Sequence, residues 1–207
     1  MDLRRLTADF RAHLLTEGLL REEIFDYERV PDLLAGPYDH VVCCEGWRAR
    51  FNPWFAHLPH GGNKGEVLIV RTAAPPLDLL FKHRVFLVPL TDGTYWVGAT
   101  SENRFSDDGP TRENAAFLRD RLAEVLTGTD YEVIDHRAAV RPTVRDRRPF
   151  LGTHPARPGL HIFNGLGTKG ASLAALTSGW LADYLTAGKP LPPEVDIKRC
   201  GPVGGPS

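Results

Sequence analysis

The chain has 207 residues, 42% of them hydrophobic and 25% charged, with a net charge of −1. That is ordinary globular composition for one large domain or parts of two. It offers no basic field for nucleic acid, and no apolar run nears the ~18 residues of a membrane span. Three cysteines, Cys43, Cys44 and Cys200, cannot build a disulfide framework, and MDLRRLTADF has no signal-peptide core. A reducing, cytoplasmic setting is the expectation.

Leu3, Leu6, Phe10 and Leu14 recur at steps of three and four, which predicts a helix over residues 3–17 stopped by Gly18. Such a helix has no earlier strand to pack on. Val41–Cys44 is a continuous apolar run ending at Gly46, suited to a strand buried on both faces, with inert cysteines. After the Pro59–Gly62 punctuation come GEVLIVR, then RVFLVPL and TYWVGAT flanking Thr91-Asp92-Gly93, a hairpin signal. Residues 112–126 predict an amphipathic helix with Ala115, Leu118, Leu122 and Val125 inward. YEVIDHRAAVRP reads as a strand closed by Pro142, and LHIF as another. A helix over 170–187 should turn Leu173, Leu176, Trp180 and Tyr184 inward and stop at Gly188. The Pro/Gly-rich residues 191–207 read as a flexible tail. His57-x-x-His60 has no third ligand marked, so no metal site is expected. The order of elements predicts a mixed α+β fold. Parallel-type pieces, residues 1–58 and 151–190, bracket an antiparallel sheet with a helix on it, residues 59–150.

The stretch HIFNGLGTKGASLAAL carries Gly165, Gly167 and Gly170 in the G-x-G-x-x-G spacing, between a strand and a helix. That spacing normally opens a βαβ unit of about 30 residues, yet no second strand pattern follows. The loop has the local chemistry of a phosphate or cofactor cradle in an unusual place; a plain tight turn is the other reading.

VRPTVRDRRPFLGTHPARPGLHIFNGLGTKGASLA resembles the later half of the FAD-dependent amino-acid oxidases, the family of glycine oxidase, D-amino acid oxidase and sarcosine oxidase. There an RP-x-x-x-D-x-x-P-x-[IL]-G run precedes the last strand, glycine loop and helix. Arg141, Pro142, Asp146, Pro149, Leu151 and Gly152 match it. RVFLVPLTDGTYWVGAT looks like the family's substrate-domain hairpin. VVCCEGW is similar to its V-V-x-A-x-G-x-W strand, with Cys43, Cys44 and Glu45 as departures. The resemblance covers residues of about 3 to 190. It implies that the outer pieces are a remnant of an FAD-binding layer and the sheet a substrate domain. It also implies that roughly 150 residues carrying the opening fingerprint lie outside this chain. The chain then corresponds to a truncated enzyme or a natural remnant, inactive by itself. A missing N-terminal half or a homo-oligomer is a possible partner.

On the resemblance, the late glycine loop lies at the flavin ring. Gly165, Leu166, Gly167, Thr168, Lys169 and Gly170 would contact the FAD, as would Gly46 and Trp47, unless Trp47 simply packs. A helix N-terminus presents unpaired N–H groups and about half a positive charge, which suits the anionic edge of reduced flavin. Arg141 would hold the carboxylate of a small-molecule amine or amino acid through its planar fork. Alternatively it is one of a solvated group with Arg137, Arg145, Arg147 and Arg148. Lys169 would add a cation beside flavin and substrate, or stand in water. Phe86 and Tyr95 would wall the substrate pocket, or pack the sheet. Phe86 stands where glycine oxidase-like members have tyrosine. No general base stands out; the chemistry implied is hydride transfer to flavin N5.

Overall fold

A computed structural model describes residues 3–73 and 79–201, which divide into two compact units. One comprises the chain up to Leu58 and from Arg148 onward; the other is Pro59–Arg147.

The first unit opens with helix α1, Leu3–Thr16, and none of its residues is buried. Gly18, at φ 67°, lets the chain turn out of it. A short helix α2 follows at Val30–Ala35, and then strand β1, Val41–Cys43. The rest of the unit comes from the far end of the chain: β7, Phe150–Thr153, β8, Leu160–Asn164, and helix α4, Gly170–Ala187. The sheet order is β1-β8-β7, with β1 parallel to β8 and β7 antiparallel to it. Register places Val42, His161 and Thr153 in one row. Leu151 and Leu181 share a core with Val42, Phe163, Trp180, Tyr184 and Leu185.

The structure departs from three expectations. Residues from 191 do not fray: Leu191 and Val195 are buried in that core, and Asp196 bridges Leu151. Proline and glycine exclude regular structure but not packing, which is why composition misled. (Residues 202–207 lie outside the described residues.) In α4 the buried positions are Thr177 and Leu181, while Leu176 is exposed. The expected stripe holds at Trp180 and Tyr184, which pack on that core, and fails at Leu176. In the Val41–Cys44 run, Cys43 is buried but Cys44, beyond the end of β1, is exposed.

The second unit is a five-stranded antiparallel sheet of order β3-β4-β5-β2-β6. The strands are β2, Asn63–Thr72, β3, Phe81–His83, β4, Val85–Pro89, β5, Tyr95–Gly98, and β6, Tyr131–Arg141. Helix α3, Arg112–Val125, starts at Thr111, whose hydroxyl accepts from the Asn114 amide. The β4–β5 turn is the expected Thr91-Asp92-Gly93, with Gly93 at φ 77° and Asp92 accepting from the Thr94 amide. Leu118 and Leu122 of α3 pack on Leu68, Val70, Val85, Leu87, Tyr95 and Val97, with Ala115 and Val125 at the edge. Side chains alternate across a strand, so these residues define the helix-covered face.

Leu191→Ala should destabilise the first unit by about 2–5 kcal/mol, the range for a buried leucine. Hydrogen exchange of the β7 amides against urea measures it. A frayed tail would leave those amides within about 0.5 kcal/mol of the parent protein.

Candidate functional site

The glycine loop belongs to the first unit. Gly165 and Gly167 sit at φ 76° and 58°, backbone that L side chains rarely adopt, so the turn itself requires glycine there. Gly170 is different: at φ −50° it is already helical, and an added Cβ would meet only Leu166 at an ordinary 3.6 Å. Gly167–Lys169 form a 3-10 turn that runs into α4. No side chain caps that start and no acid lies in the first turn. Leu166 is half-buried, while Thr168 and Lys169 are exposed. The Lys169 ammonium has no carboxylate partner among the described residues.

Asn164, which the sequence reading passed over, ties this loop to the other candidate cofactor element. Its amide Nδ2 donates to the Gly46 carbonyl at 2.8 Å, and its Oδ1 accepts from the Gly165 amide at 2.7 Å. Gly46 has φ 58°, and a Cβ added there would meet nothing within 4 Å, so its conformation rather than crowding calls for glycine. The structure thus brings Gly46 and the loop together. Trp47 stacks its ring under the Arg50 guanidinium at 4.5 Å and meets Phe51 edge-on. The neighbouring Glu45 carboxylate takes the Tyr27 hydroxyl and, at 2.6 Å, the Asn52 amide. Burial, with the Glu45 charge adding, pushes the Cys43 thiol up to about 11, which keeps it protonated and unreactive. Beneath α4, His161 links His40 at 3.0 Å to Thr153 at 3.0 Å, and Thr153 meets the Tyr184 hydroxyl at 2.7 Å. Burial, then His40, pushes His161 down to about 4, so the His161 imidazole is neutral near pH 7.

In the second unit Arg141 ends β6, opposite Asn63 of β2. Its Nη1 donates to Asn63 Oδ1 at 2.6 Å and lies 3.4 Å from the Thr100 carbonyl. Burial lowers its pKa, though a guanidinium stays charged far above neutral pH. No carboxylate pairs with it among the described residues. Arg137, Arg145, Arg147 and Arg148 are exposed, so Arg141 differs from its neighbours in sequence by its partial burial. Gly65 explains its position. A Cβ on Gly65 would fall 2.2–2.5 Å from Nη2, Nη1 and Cζ, so the guanidinium lies flat over a bare backbone.

Register also sorts the two aromatic candidates. Phe86 pairs with Gly98, which pairs with Val67, and Val67 is two residues from Gly65; all lie on the Arg141 face. Phe86 is partly exposed, with the Lys82 ammonium 5.1 Å above its ring. Tyr95 is on the opposite face, buried in the α3 core, and cannot wall a pocket beside Arg141. Its neighbour Trp96, paired with Val88, takes that face instead. Strand parity decides this, and a sequence shows parity only once the hairpin register is fixed.

The helix-covered face of β2 carries a buried ion network. Lys64 and Glu66 are 1% and 0% exposed, with Nζ 3.1 Å from Oε1. Glu66 also accepts from the Thr111 amide at 2.8 Å, the Thr111 hydroxyl at 3.0 Å and Asn114 at 2.8 Å, and meets His136 Nε2 at 2.8 Å. Burial alone would raise this carboxyl, but the bonds from Thr111, Asn114 and Lys64 outweigh it and hold the pKa at about 2. Among the described residues, no group of three or more His, Cys, Asp or Glu is placed to hold a metal, and no helix is long and apolar enough to cross a membrane.

With this geometry, the comparisons with known proteins are specific. The family model described as FAD dependent oxidoreductase matches residues 3–184. The glycine oxidase of Pseudomonas aeruginosa is 31% identical over 171 residues, covering 80% of this chain and 46% of that protein. The glycine oxidase of Geobacillus kaustophilus is 30% identical over 175 residues, covering 79% and 46%. The crystal structure of glycine oxidase from Geobacillus kaustophilus superposes with a TM-score of 0.62 at 26% identity, over 73% of this chain and 42% of that one. The chain belongs to the FAD-dependent oxidoreductase family, and is glycine oxidase-like within it. It spans about half the length of the curated relatives it matches.

A group with a folded pKa below its ordinary value adds stability above the ordinary value and loses it as pH falls toward the folded one. For Glu66 that window runs from 4.5 down to about 2. The second unit should lose on the order of 3 kcal/mol across it, and Glu66→Gln should flatten the dependence. Hydrogen exchange of the β2 amides at about pH 6 and about pH 2 reads both; an unchanged slope in the variant contradicts the assignment.

Proposed function

We propose that this chain supplies the substrate-binding and flavin-contacting parts of an FAD-dependent oxidoreductase acting on a small amine or amino acid. The observation that carries the reading is Arg141: a half-buried guanidinium fixed over Gly65, with no acid of its own to neutralise it. Such a group takes an anionic ligand, and a planar carboxylate matches its fork with two parallel hydrogen bonds. Phe86 and Trp96, on the same face, offer apolar surface for the rest of a small substrate. The relatives named glycine oxidase support a carboxylate of amino-acid type.

In the first unit, the residues around the glycine loop fit a flavin edge. The start of α4, with no side-chain cap and no first-turn acid, favours partial or full negative charge there. Lys169 adds a cation in the same turn. FAD, when bound, would supply the hydride acceptor at flavin N5, leaving the amine as an imine that water hydrolyses. The chain's own share is orientation and charge: Arg141 fixes the carboxylate, the loop amides stabilise negative charge, and no side chain need remove a proton from carbon. No strand–G-x-G-x-x-G–helix run precedes residue 161 in these 207 residues, so contact with FAD rests on the late loop and Gly46. The chain alone therefore holds FAD weakly.

Two measurements test this. Titrating isotope-labelled protein with glycine should give saturable amide shifts around Asn63 and Gly65. Arg141→Ala and Gly65→Ala should each weaken them at least tenfold, the latter because its methyl occupies the place of the guanidinium. Parent-like affinity in Arg141→Ala would rule the carboxylate site out. After mixing with FAD and desalting, the chain should emerge nearly colourless; a stoichiometric yellow protein would show that the late loop suffices.

A further inference from the structure

Asn63 does more in this structure than lie opposite Arg141. It is 8% exposed, and its side chain is saturated in a single orientation. Oδ1 accepts from Arg141 Nη1 at 2.6 Å, while Nδ2 donates to Ser101 Oγ and Asn103 Oδ1, each at 2.9 Å. Asn103 Oδ1 can only accept and Arg141 Nη1 can only donate, so a flip of the Asn63 amide would break both of those contacts. Ser101 Oγ also lies 3.3 Å from Asn63 Oδ1 and can donate to it. The result is a fixed neutral acceptor for one nitrogen of a guanidinium that has three.

The partition of those nitrogens matters. Among the described residues, the acceptors that Arg141 meets, namely Asn63 Oδ1, the Asn63 carbonyl at 3.5 Å and the Thr100 carbonyl at 3.4 Å, all face Nη1. Nε and Nη2 have no partner among the described residues. Gly65 supports the plane from below, where a Cβ would strike Nη2 at 2.2 Å. The side edge formed by Nε and Nη2 is a two-donor fork of the spacing that a carboxylate accepts. Held at Nη1 by a neutral amide, the arginine keeps its full charge; an aspartate at residue 63 would hold it equally well and cancel that charge.

We propose that Asn63 is a positioning residue for ligand binding. By occupying Nη1 with an uncharged acceptor, it presents the Nε/Nη2 edge of Arg141 to a carboxylate, and so sets the site's preference for a small planar anion bound side-on. The inference rests on Arg141 being the carboxylate receptor and adds which edge is used and what fixes it.

The test uses the whole chain, glycine as the probe, and three variants: Arg141→Ala, Asn63→Asp and Asn63→Ala. Affinity is read by amide-shift titration, and the Arg141 Nε–H signal is followed by nitrogen-15 NMR. Asn63→Asp should weaken glycine at least tenfold, by neutralising the guanidinium. Asn63→Ala should weaken it several-fold, and should broaden the Arg141 Nε–H signal as the side chain gains freedom. In the parent protein that signal should shift on adding glycine, since Nε is one of the two donors. If Arg141→Ala abolishes binding while Asn63→Asp binds as the parent does, the inference falls and the carboxylate site stands. If Arg141→Ala itself binds normally, the functional reading falls first. An Nε–H signal that ignores saturating glycine overturns the side-on edge even if neither Asn63 variant folds.

Discussion

The Glu66 carboxylate, fully buried on β2, is the interaction on which the second unit is arranged. A buried charge survives only if it is paired and hydrogen-bonded, and Glu66 meets that demand with groups from four places. Lys64 comes from its own strand, His136 from β6, Thr111 from the start of α3 and Asn114 from that helix's first turn. Each partner is right only in one register. A slip of β2 by one residue would put the acid on the other face and leave these donors unmatched. The network's worth is therefore chiefly in specifying alignment, since an apolar layer of similar volume would stabilise as well.

That alignment also decides what stands beside Arg141. Because Lys64 and Glu66 point into the helix side, Asn63 and Gly65 must point to the opposite face, where β6 delivers Arg141. The buried network and the guanidinium seat are two faces of one four-residue run, Asn63-Lys64-Gly65-Glu66. The first unit uses a comparable device on a smaller scale. Asn164, buried at the end of β8, sets the distance between the glycine loop and Gly46 through its two amide atoms.

What the sequence disclosed depended on how local the cause was. The hairpin about Thr91-Asp92-Gly93, helix α3 and the strand–loop–helix at Gly165–Gly170 were legible because a turn, an amphipathic stripe or a glycine spacing acts within a dozen residues. The mixed architecture followed from their order. Strand β7 was not seen, since its four residues lie just after a proline and pair with β8 and with Asp196 from near the end of the chain. The packed segment Leu191–Ile197 was hidden behind its prolines. Tyr95 and Trp96 differ by one position, and only the pairing with Val88 and Pro89 says which meets the α3 core. Arg141 was found by motif, but Gly65 and Asn63, 76 and 78 residues earlier, carry no signal of their own beside it. Their importance exists only once β2 and β6 are paired.

The central claim is that the guanidinium over Gly65 is a seat for a carboxylate. The most direct measurement is a crystal structure of the chain grown with glycine. The account predicts electron density for the carboxylate in the plane of the guanidinium, both oxygens within hydrogen-bonding distance of Nε and Nη2, with the Asn63 contact to Nη1 intact. Arg141 swung away from Gly65, or glycine bound elsewhere while this edge holds only water, would contradict it.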